Sequence, residues 1–439
     1  MTTWWAARAV IDGRVRDRVV LESSGGVLRR IEPDLDAPSG ARVLSGIVVP
    51  GAVNAHSHAF HRVLRGRTHR GRDSFWSWRD QMYAAAATLT PDGYHALARA
   101  VFAEMLLAGY TAVGEFHYLH HAPGGASYDE PHAMSAALAA AAEDAGIRLV
   151  LLDTLYLQGG PGVAPDATQV RFSDGSAEAW AARTSALVPS GLVTHGLAIH
   201  SVRAVPPDAI TLAAECARQR GVPLHAHVSE QPRENDECHA AYGRSPVEML
   251  RDAGALGDDF TAVHATHLTE SDVHALGGSH VCVCATTERD LADGIGPIPA
   301  LRDAGAALCL GSDSHAVIDP FEESRAIEID ERLGSRRRGT FTGEDLLATM
   351  TTGGSAALGL PDAGLAVGAP ADFIEVDTST VRLAGHDAAN AIDAVVYAAT
   401  ASDVRTVVVA GVERVHDRAH VSVDVAAELD SAICAVVAS

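Results

Sequence analysis

The sequence predicts an α/β protein: a (β/α)8 TIM-like barrel with a small β-sandwich domain formed from both chain termini. Three observations carry this expectation. Short β-branched or apolar runs recur along the middle of the chain, at residues 47–55, 111–117, 147–155, 193–200, 222–228, 260–266, 280–285 and 306–312. Most are followed by a stretch with helical spacing of Ala and Leu. The polar residues His58, Glu115, His200, His227, His264 and Asp313 fall at the ends of those runs, where a parallel barrel gathers its functional groups.

Taken in order, residues 1–46 alternate short extended runs with turns at Asp12-Gly13 and Ser24-Gly25-Gly26. Residues 362–420 do the same around Gly368-Ala369-Pro370. Neither piece is long enough for an independent sheet with its own core. They are therefore read as one composite β domain, 1–49 with 361–439, and residues 50–360 as the barrel. Between the strands, residues 92–108, 134–144, 207–220 and 246–252 carry helical periodicity and start signals. An open doubly wound sheet shares this alternation, but it would scarcely place ligands from the first, fifth and eighth runs around one atom.

With 439 residues, 47% of them hydrophobic and 21% charged, the chain can bury a large core. A formal charge of −22 argues against nucleic acid or an anionic membrane as partner. It leaves room for a small anionic substrate, because a few arginines in a cleft set the local field. No apolar span reaches the roughly 18 residues of a membrane helix, and Met1-Thr2-Thr3-Trp4-Trp5 does not open a signal peptide. The six cysteines form no disulfide framework, Cys282-x-Cys284 reads as core packing, and the expectation is a cytoplasmic protein. All 34 basic residues are arginine. Without lysine there is no Schiff base, no P-loop lysine and no carbamylated lysine to bridge two ions, which favours one metal over two.

His56-Ser57-His58 ends the first run. Alternate residues of a strand point the same way, so the two imidazoles can converge on one point. Paired surface histidines are common, and alone the motif says little. Here Leu224-His225-Ala226-His227, Ala262-Val263-His264 and Leu310-Gly311-Ser312-Asp313 follow on later strand ends. His56, His58, His227 and Asp313 then supply three imidazoles and one carboxylate for a divalent ion. Such a site keeps a position for water, whose pKa falls from 15.7 to about 7 in favourable zinc sites. Asp313 can also accept the water proton. Glu230, three residues beyond His227, is near enough to carry that proton to a departing nitrogen. His264 can stabilise a tetrahedral centre or orient the attacking oxygen.

On Asn54-Ala55-His56-Ser57-His58, His227 with Glu230, His264, Ser312-Asp313-Ser314-His315 and residues 364–373, the chain resembles the amidohydrolase superfamily across essentially its whole length. Within it, Asp73-Ser74-Phe75-Trp76-Ser77-Trp78-Arg79 through Tyr83, and Glu115-Phe116-His117-Tyr118-Leu119-His120, resemble the formimidoylglutamate deiminases, enzymes of histidine degradation. This resemblance implies hydrolytic deamination of N-formimino-L-glutamate to N-formyl-L-glutamate and ammonia by a homodimer. It implies one divalent ion, Zn2+, with Fe2+ suited to the same imidazole-rich set, and the same roles for the ligands, Glu230 and His264. The substrate's two carboxylates call for bidentate arginine and hydrogen-bond donors, and Arg79, Tyr118, His200 and Arg203 match the family's carboxylate-binding positions. His61 stands where the family often has glutamine and is read as a donor in its place. The loop 286–294 matches only approximately. A deaminase of a purine, pyrimidine or triazine ring is the alternative; it would need an aromatic-lined apolar pocket more than paired arginines. His117, His120, His121, His267 and His315 are expected to support the site by hydrogen bonds rather than to bind the ion.

Overall fold

The computed structural model describes residues 1–69 and 75–438. Asp73 and Ser74 of the motif noted above lie outside the described residues. The chain opens with four strands, β1 (Thr2–Ile11), β2 (Arg14–Ser24), β3 (Val27–Glu32) and β4 (Arg42–Pro50). Eight strands of a second sheet follow: β5 (Ala52–Ser57), β6 (Tyr110–His117), β7 (Arg148–Leu155), β8 (Val193–Ile199), β9 (Leu224–Val228), β10 (Phe260–His264), β11 (His280–Val283) and β12 (Ala307–Leu310). The last four, β13 (Phe373–Val376), β14 (Val404–Val409), β15 (Val412–His416) and β16 (Ala419–His420), return to the first sheet.

Strands β5 to β12 are parallel and stand in chain order. The first and last meet at a single bridge between Ser57 and Asp313. There Asp313 N–H donates to His56 O at 3.0 Å, and His58 N–H donates to Asp313 O at 3.2 Å. The nearly closed barrel thus places the His-Ser-His strand end directly against Asp313. Asn54 reinforces the seam: its amide donates to Ser312 Oγ at 2.6 Å, and its Oδ1 accepts from Ser312 N–H at 3.0 Å.

The other sheet runs β16-β15-β14-β13-β4-β1-β2-β3. It curls, because β3 bonds back to the chain entering β13: Leu28 N–H donates to Ala369 O and Gly368 N–H to Leu28 O, each at 2.9 Å. A separate core fills the curl, with Trp4, Leu21, Leu44, Phe373 and Val408 buried. The Trp4 and Phe373 rings meet edge to face at 5.1 Å, the geometry that aromatic quadrupoles favour.

The structure divides the expected run 47–55 in two. Residues up to Pro50 belong to β4, paired with β1 and β13, while β5 begins at Ala52. Gly51 is the crossing point. A Cβ there would overlap the Thr111 side chain, so only glycine lets the chain pass between the sheets this closely. Residues 391–398, expected among strands and turns, form a helix that buries Ala391, Val395 and Val396. Those positions recur with the helical period, which overrides the β-branched composition.

The expected helices form as Pro91–Ala108, Ala133–Ala145, Pro207–Arg220 and Pro246–Asp252. Their signals are local. Thr90 accepts from Gly93 N–H at the first, Ser245 and Glu248 close a capping box on the last, and Gly109, Gly146 and Gly221 end three of them in left-handed conformation. Among the described residues no helix is long and apolar enough to cross a membrane.

Candidate active site

Four side chains converge where the barrel closes. His56 and His58 come from the end of β5, His227 from β9 and Asp313 from the turn after β12, and all four are buried. The Nε2 atoms of His56 and His227 lie 3.1 Å apart, and those of His58 and His227 lie 3.4 Å apart. Asp313 Oδ1 is 3.4 Å from Nε2 of both His56 and His58. A tetrahedral ion with bonds of about 2.0–2.1 Å needs its donors about 3.3–3.4 Å apart, so the donors are spaced for one small ion. Burial keeps His56, His58 and His227 below the usual imidazole range, and therefore neutral, as ligands must be. Burial alone would raise Asp313; its bond to His56 and the neighbouring imidazoles hold it well below the carboxylate range instead.

Glu230 and His264 flank this cluster. His264 Nε2 lies 3.8 Å from Glu230 Oε1 and 3.9 Å from Asp313 Oδ2. Burial pushes the Glu230 carboxyl up to about 7, with Asp313 and Glu234 acting the same way and His264 and Arg203 against them. For His264 burial acts downward, but Glu230, the bond to Glu288 and Asp313 outweigh it and raise the imidazole to about 10. The backbone is unusual here: Ser229, His264, Ala265, Asp313 and His315 all have φ between 42° and 70°. Left-handed backbone at non-glycine residues is sparsely populated and persists where surrounding bonds enforce it.

The substrate-binding candidates come together with the cluster. His61, Arg79, Tyr118, His200 and Arg203 line one cavity with His58, His227, Glu230, His264 and Asp313. His61 Nε2 is 2.9 Å from the Tyr118 hydroxyl, while its Nδ1 is buried without a partner. Arg79 lies on the helix Phe75–Thr88, with its guanidinium carbon 4.5 Å from the Trp76 ring centroid. Neither Arg79 nor Arg203 forms an ion pair among the described residues. The carbonyl of His200 accepts from His227 Nδ1 at 2.8 Å.

Several residues were not anticipated. Glu288 is buried, 3.4 Å from His264 Nδ1, and its Oε1 also accepts from Cys284 N–H at 3.0 Å. An acid in the first turn of the short helix Ala285–Asp290, directly after a buried strand, was the available signal. Phe75, Trp78, Met82, Tyr83, Tyr156 and Phe172 complete the cavity wall. Glu115 braces the first ligand strand, accepting from Ser57 Oγ and Ala59 N–H at 2.6 Å each, and burial raises it to about 8. His315 does similar work, with its ring nitrogens 3.2 Å from Ser57 Oγ and 3.0 Å from Ser312 Oγ. His120 and His121 bond to Thr154 O and Asp174. The expectation of supporting hydrogen bonds does not hold for His117, whose ring nitrogens are both buried without a partner among the described residues, and His267 Nε2 is likewise unpartnered. Cys282, Cys284 and Cys309 are buried free thiols.

The arrangement unites a small-ion site, a buried carboxyl that exchanges protons near neutrality and a cationic cavity. The amidohydrolase family model matches residues 47–414. A formimidoylglutamate deiminase of Pseudomonas aeruginosa is 38% identical over 437 residues, covering 96% of each chain. Among solved structures, an amidohydrolase from Brucella melitensis is 32% identical with a TM-score of 0.90 over 100% of both chains. An adenosine deaminase from Xanthomonas campestris with bound zinc is 25% identical with a TM-score of 0.82, over 98% of this chain and 96% of that one. The ligand set and these likenesses together support a divalent metal. The chain belongs to the amidohydrolase family and is a hydrolase acting on a carbon–nitrogen bond.

Proposed function

We propose that the chain hydrolyses N-formimino-L-glutamate to N-formyl-L-glutamate and ammonia. The observation that carries this reading is the pair Arg79 and Arg203, which face the same cavity as the ligand cluster and have no carboxylate partner among the described residues. Two unpaired guanidiniums in a partly buried cleft suit a dicarboxylate. Likeness to the Pseudomonas aeruginosa deiminase supports it.

His56, His58, His227 and Asp313 would hold the ion, and three imidazoles with one carboxylate suit zinc, with Fe2+ compatible. Bound there, it would supply Lewis acidity and bring a water's pKa towards neutrality. Glu230, poised near 7 by burial, takes a proton from the attacking water and delivers it to the nitrogen that leaves as ammonia. Water oxygen adds to the amidine carbon, the C–NH2 bond breaks as the nitrogen takes the proton from Glu230, and the remaining hydroxyl proton passes to Asp313 so that a formyl C=O is left. His264, held by Glu288 on its other nitrogen, steadies the charge that develops at the tetrahedral centre. Arg79, Arg203, Tyr118, His200 and His61 hold the carboxylates and orient the amidine. A cytoplasmic location, a homodimer and a place in histidine degradation belong to the same reading; family likeness and six free cysteines support them.

The aromatic wall of Phe75, Trp78, Tyr118, Tyr156 and Phe172 favours a second reading, deamination of a heteroaromatic ring. Ammonia release by the metal-loaded protein decides between them. Turnover of N-formimino-L-glutamate with none of adenosine, guanine, cytosine or amino-triazines is expected. Efficient turnover of a ring substrate alone would overturn the first reading.

A further inference from the structure

We propose that the hydroxyls of Tyr83 and Tyr156 form a further carboxylate-binding donor in the cavity, beside Arg79 and Arg203. The inference deepens the dicarboxylate reading above and rests on it.

Gln169 Oε1 accepts from Asp166 N–H at 2.9 Å, which fixes the amide's orientation. Its Nε2 therefore donates to the Tyr83 hydroxyl oxygen, at 3.0 Å. The Tyr156 hydroxyl stands in the same cavity wall. Two phenols bring two O–H groups, and among the described residues neither donates a hydrogen bond. The Tyr83 donor is polarised by the bond that its oxygen accepts from Gln169.

Its surroundings define what it would bind. Both tyrosines line the cavity with Arg79 and Arg203, and the Arg79 guanidinium carbon lies 5.5 Å from the Tyr83 ring centroid. Tyr156 is buried, packed on His200 at 4.7 Å and on Phe172 at 5.4 Å. Burial holds its phenol well above the ordinary range, so it keeps its proton. A neutral donor in one cavity with two cations that have no ion-pair partner among the described residues is matched by an anionic, multiply accepting group, and a carboxylate meets that description. Phenylalanine at Tyr156 would keep the ring packing and lose only the hydroxyl, whereas at Tyr83 it would also remove the acceptor of Gln169 Nε2.

The test uses the metal-loaded protein as wild type, as Tyr83→Phe, as Tyr156→Phe and as the double variant. KM and kcat are measured on N-formimino-L-glutamate, and the Kd of glutarate, a plain dicarboxylate, by calorimetry; melting temperature and metal content serve as controls. The double variant should raise both KM and the glutarate Kd by about tenfold or more, the usual cost of a lost bond to a charged group, with kcat much less affected. The single variant with the larger effect identifies the hydroxyl that touches the anion. KM and Kd both unchanged within about twofold in the double variant, or in both single variants should the double not fold, would overturn the inference while leaving the substrate assignment standing. A wild type inactive on N-formimino-L-glutamate that still binds glutarate more tightly than the variants would sink that assignment and support the donor.

Discussion

The Nε2 atoms of His58 and His227 face each other at 3.4 Å, and neither has a proton to place between them. His58 donates Nδ1–H to Phe116 O at 3.0 Å, and His227 donates Nδ1–H to His200 O at 2.8 Å. With burial keeping both rings neutral, two lone pairs point at one spot, an arrangement that a cation relieves. The carbonyls thus fix the tautomers before any ion arrives. One strand neighbour, β6, supplies the first carbonyl, and the end of β8 supplies the second, so the orientation of these two donors is built into barrel registration.

The first expected outcome concerns stoichiometry. The protein should carry one tightly held divalent ion per chain: His56, His58, His227 and Asp313 form the one four-donor group among the described residues, the neighbouring trio His264, Cys284 and Glu288 has its imidazole raised to about 10 and so protonated, and no lysine can be carbamylated to bridge a second ion. His58→Ala and Asp313→Ala should each lose both the ion and turnover. Elemental analysis of dialysed protein checks this; two equivalents required for full activity would refute it.

Glu230→Gln should retain metal and substrate affinity while kcat falls by roughly 10²- to 10⁴-fold, the usual worth of a positioned proton carrier. Glutamine keeps the shape but cannot accept the proton. The same group makes a pH signature: with its carboxyl near 7, wild-type kcat/KM should rise with pH through that region as Glu230 ionises. Near-normal kcat in the variant would move the proton carrier elsewhere, to His264 first.

Arg79→Met and Arg203→Met should act on affinity for the anionic end of the substrate. Losing one partner of a desolvated charge pair costs about 2–5 kcal/mol, so kcat/KM should fall by roughly 30- to 4,000-fold on N-formimino-L-glutamate. On a formimino substrate lacking the side-chain carboxylate, the loss should be much smaller. Equal losses on both substrates would mean that the arginines shape the cavity rather than bind that group. His61→Gln should retain most activity if a neutral donor suffices there.

The barrel and its ligands were legible in the sequence because their signals are local. Strand-end histidines, β-branched runs and helix caps each lie within a few residues, as at His56-Ser57-His58 or Ser245 through Glu248. What escaped depends on long-range closure. Gly51 marks the change of sheet, but the reason lies at Thr111, sixty residues on. Glu288 reads as an ordinary turn acid until His264 is placed beside it. Tyr83, on the helix Phe75–Thr88, and Tyr156, just after β7, share one cavity wall that neither stretch of sequence announces. His117, with both nitrogens unpartnered among the described residues, shows the converse: nothing in the neighbouring sequence announces that its ring will find no partner there.

The last expectation is a pH dependence of stability away from the metal. Arg183 lies between two buried carboxylates. Its NH1 and NH2 donate to Asp153 at 2.8 Å each, and its Nε and NH2 donate to Asp174 at 2.8 and 2.9 Å. Burial alone would raise Asp153, but Arg183 and His120 outweigh it and draw it down from 3.8 to about 2; Asp174 is likewise held well below its usual range. A depressed carboxyl stabilises the fold above its unfolded pKa, near 4, and that contribution disappears as pH falls through the folded value near 2. At neutral pH, Asp153→Asn should therefore cost on the order of 3 kcal/mol, the usual penalty for stranding a buried charge. By pH 3 about 1 kcal/mol of that deficit should have gone, because the wild type is losing the same interaction. Urea unfolding of both proteins at pH 7 and pH 3 measures it. A deficit that stays constant would show that Asp153 is not held ionised by Arg183.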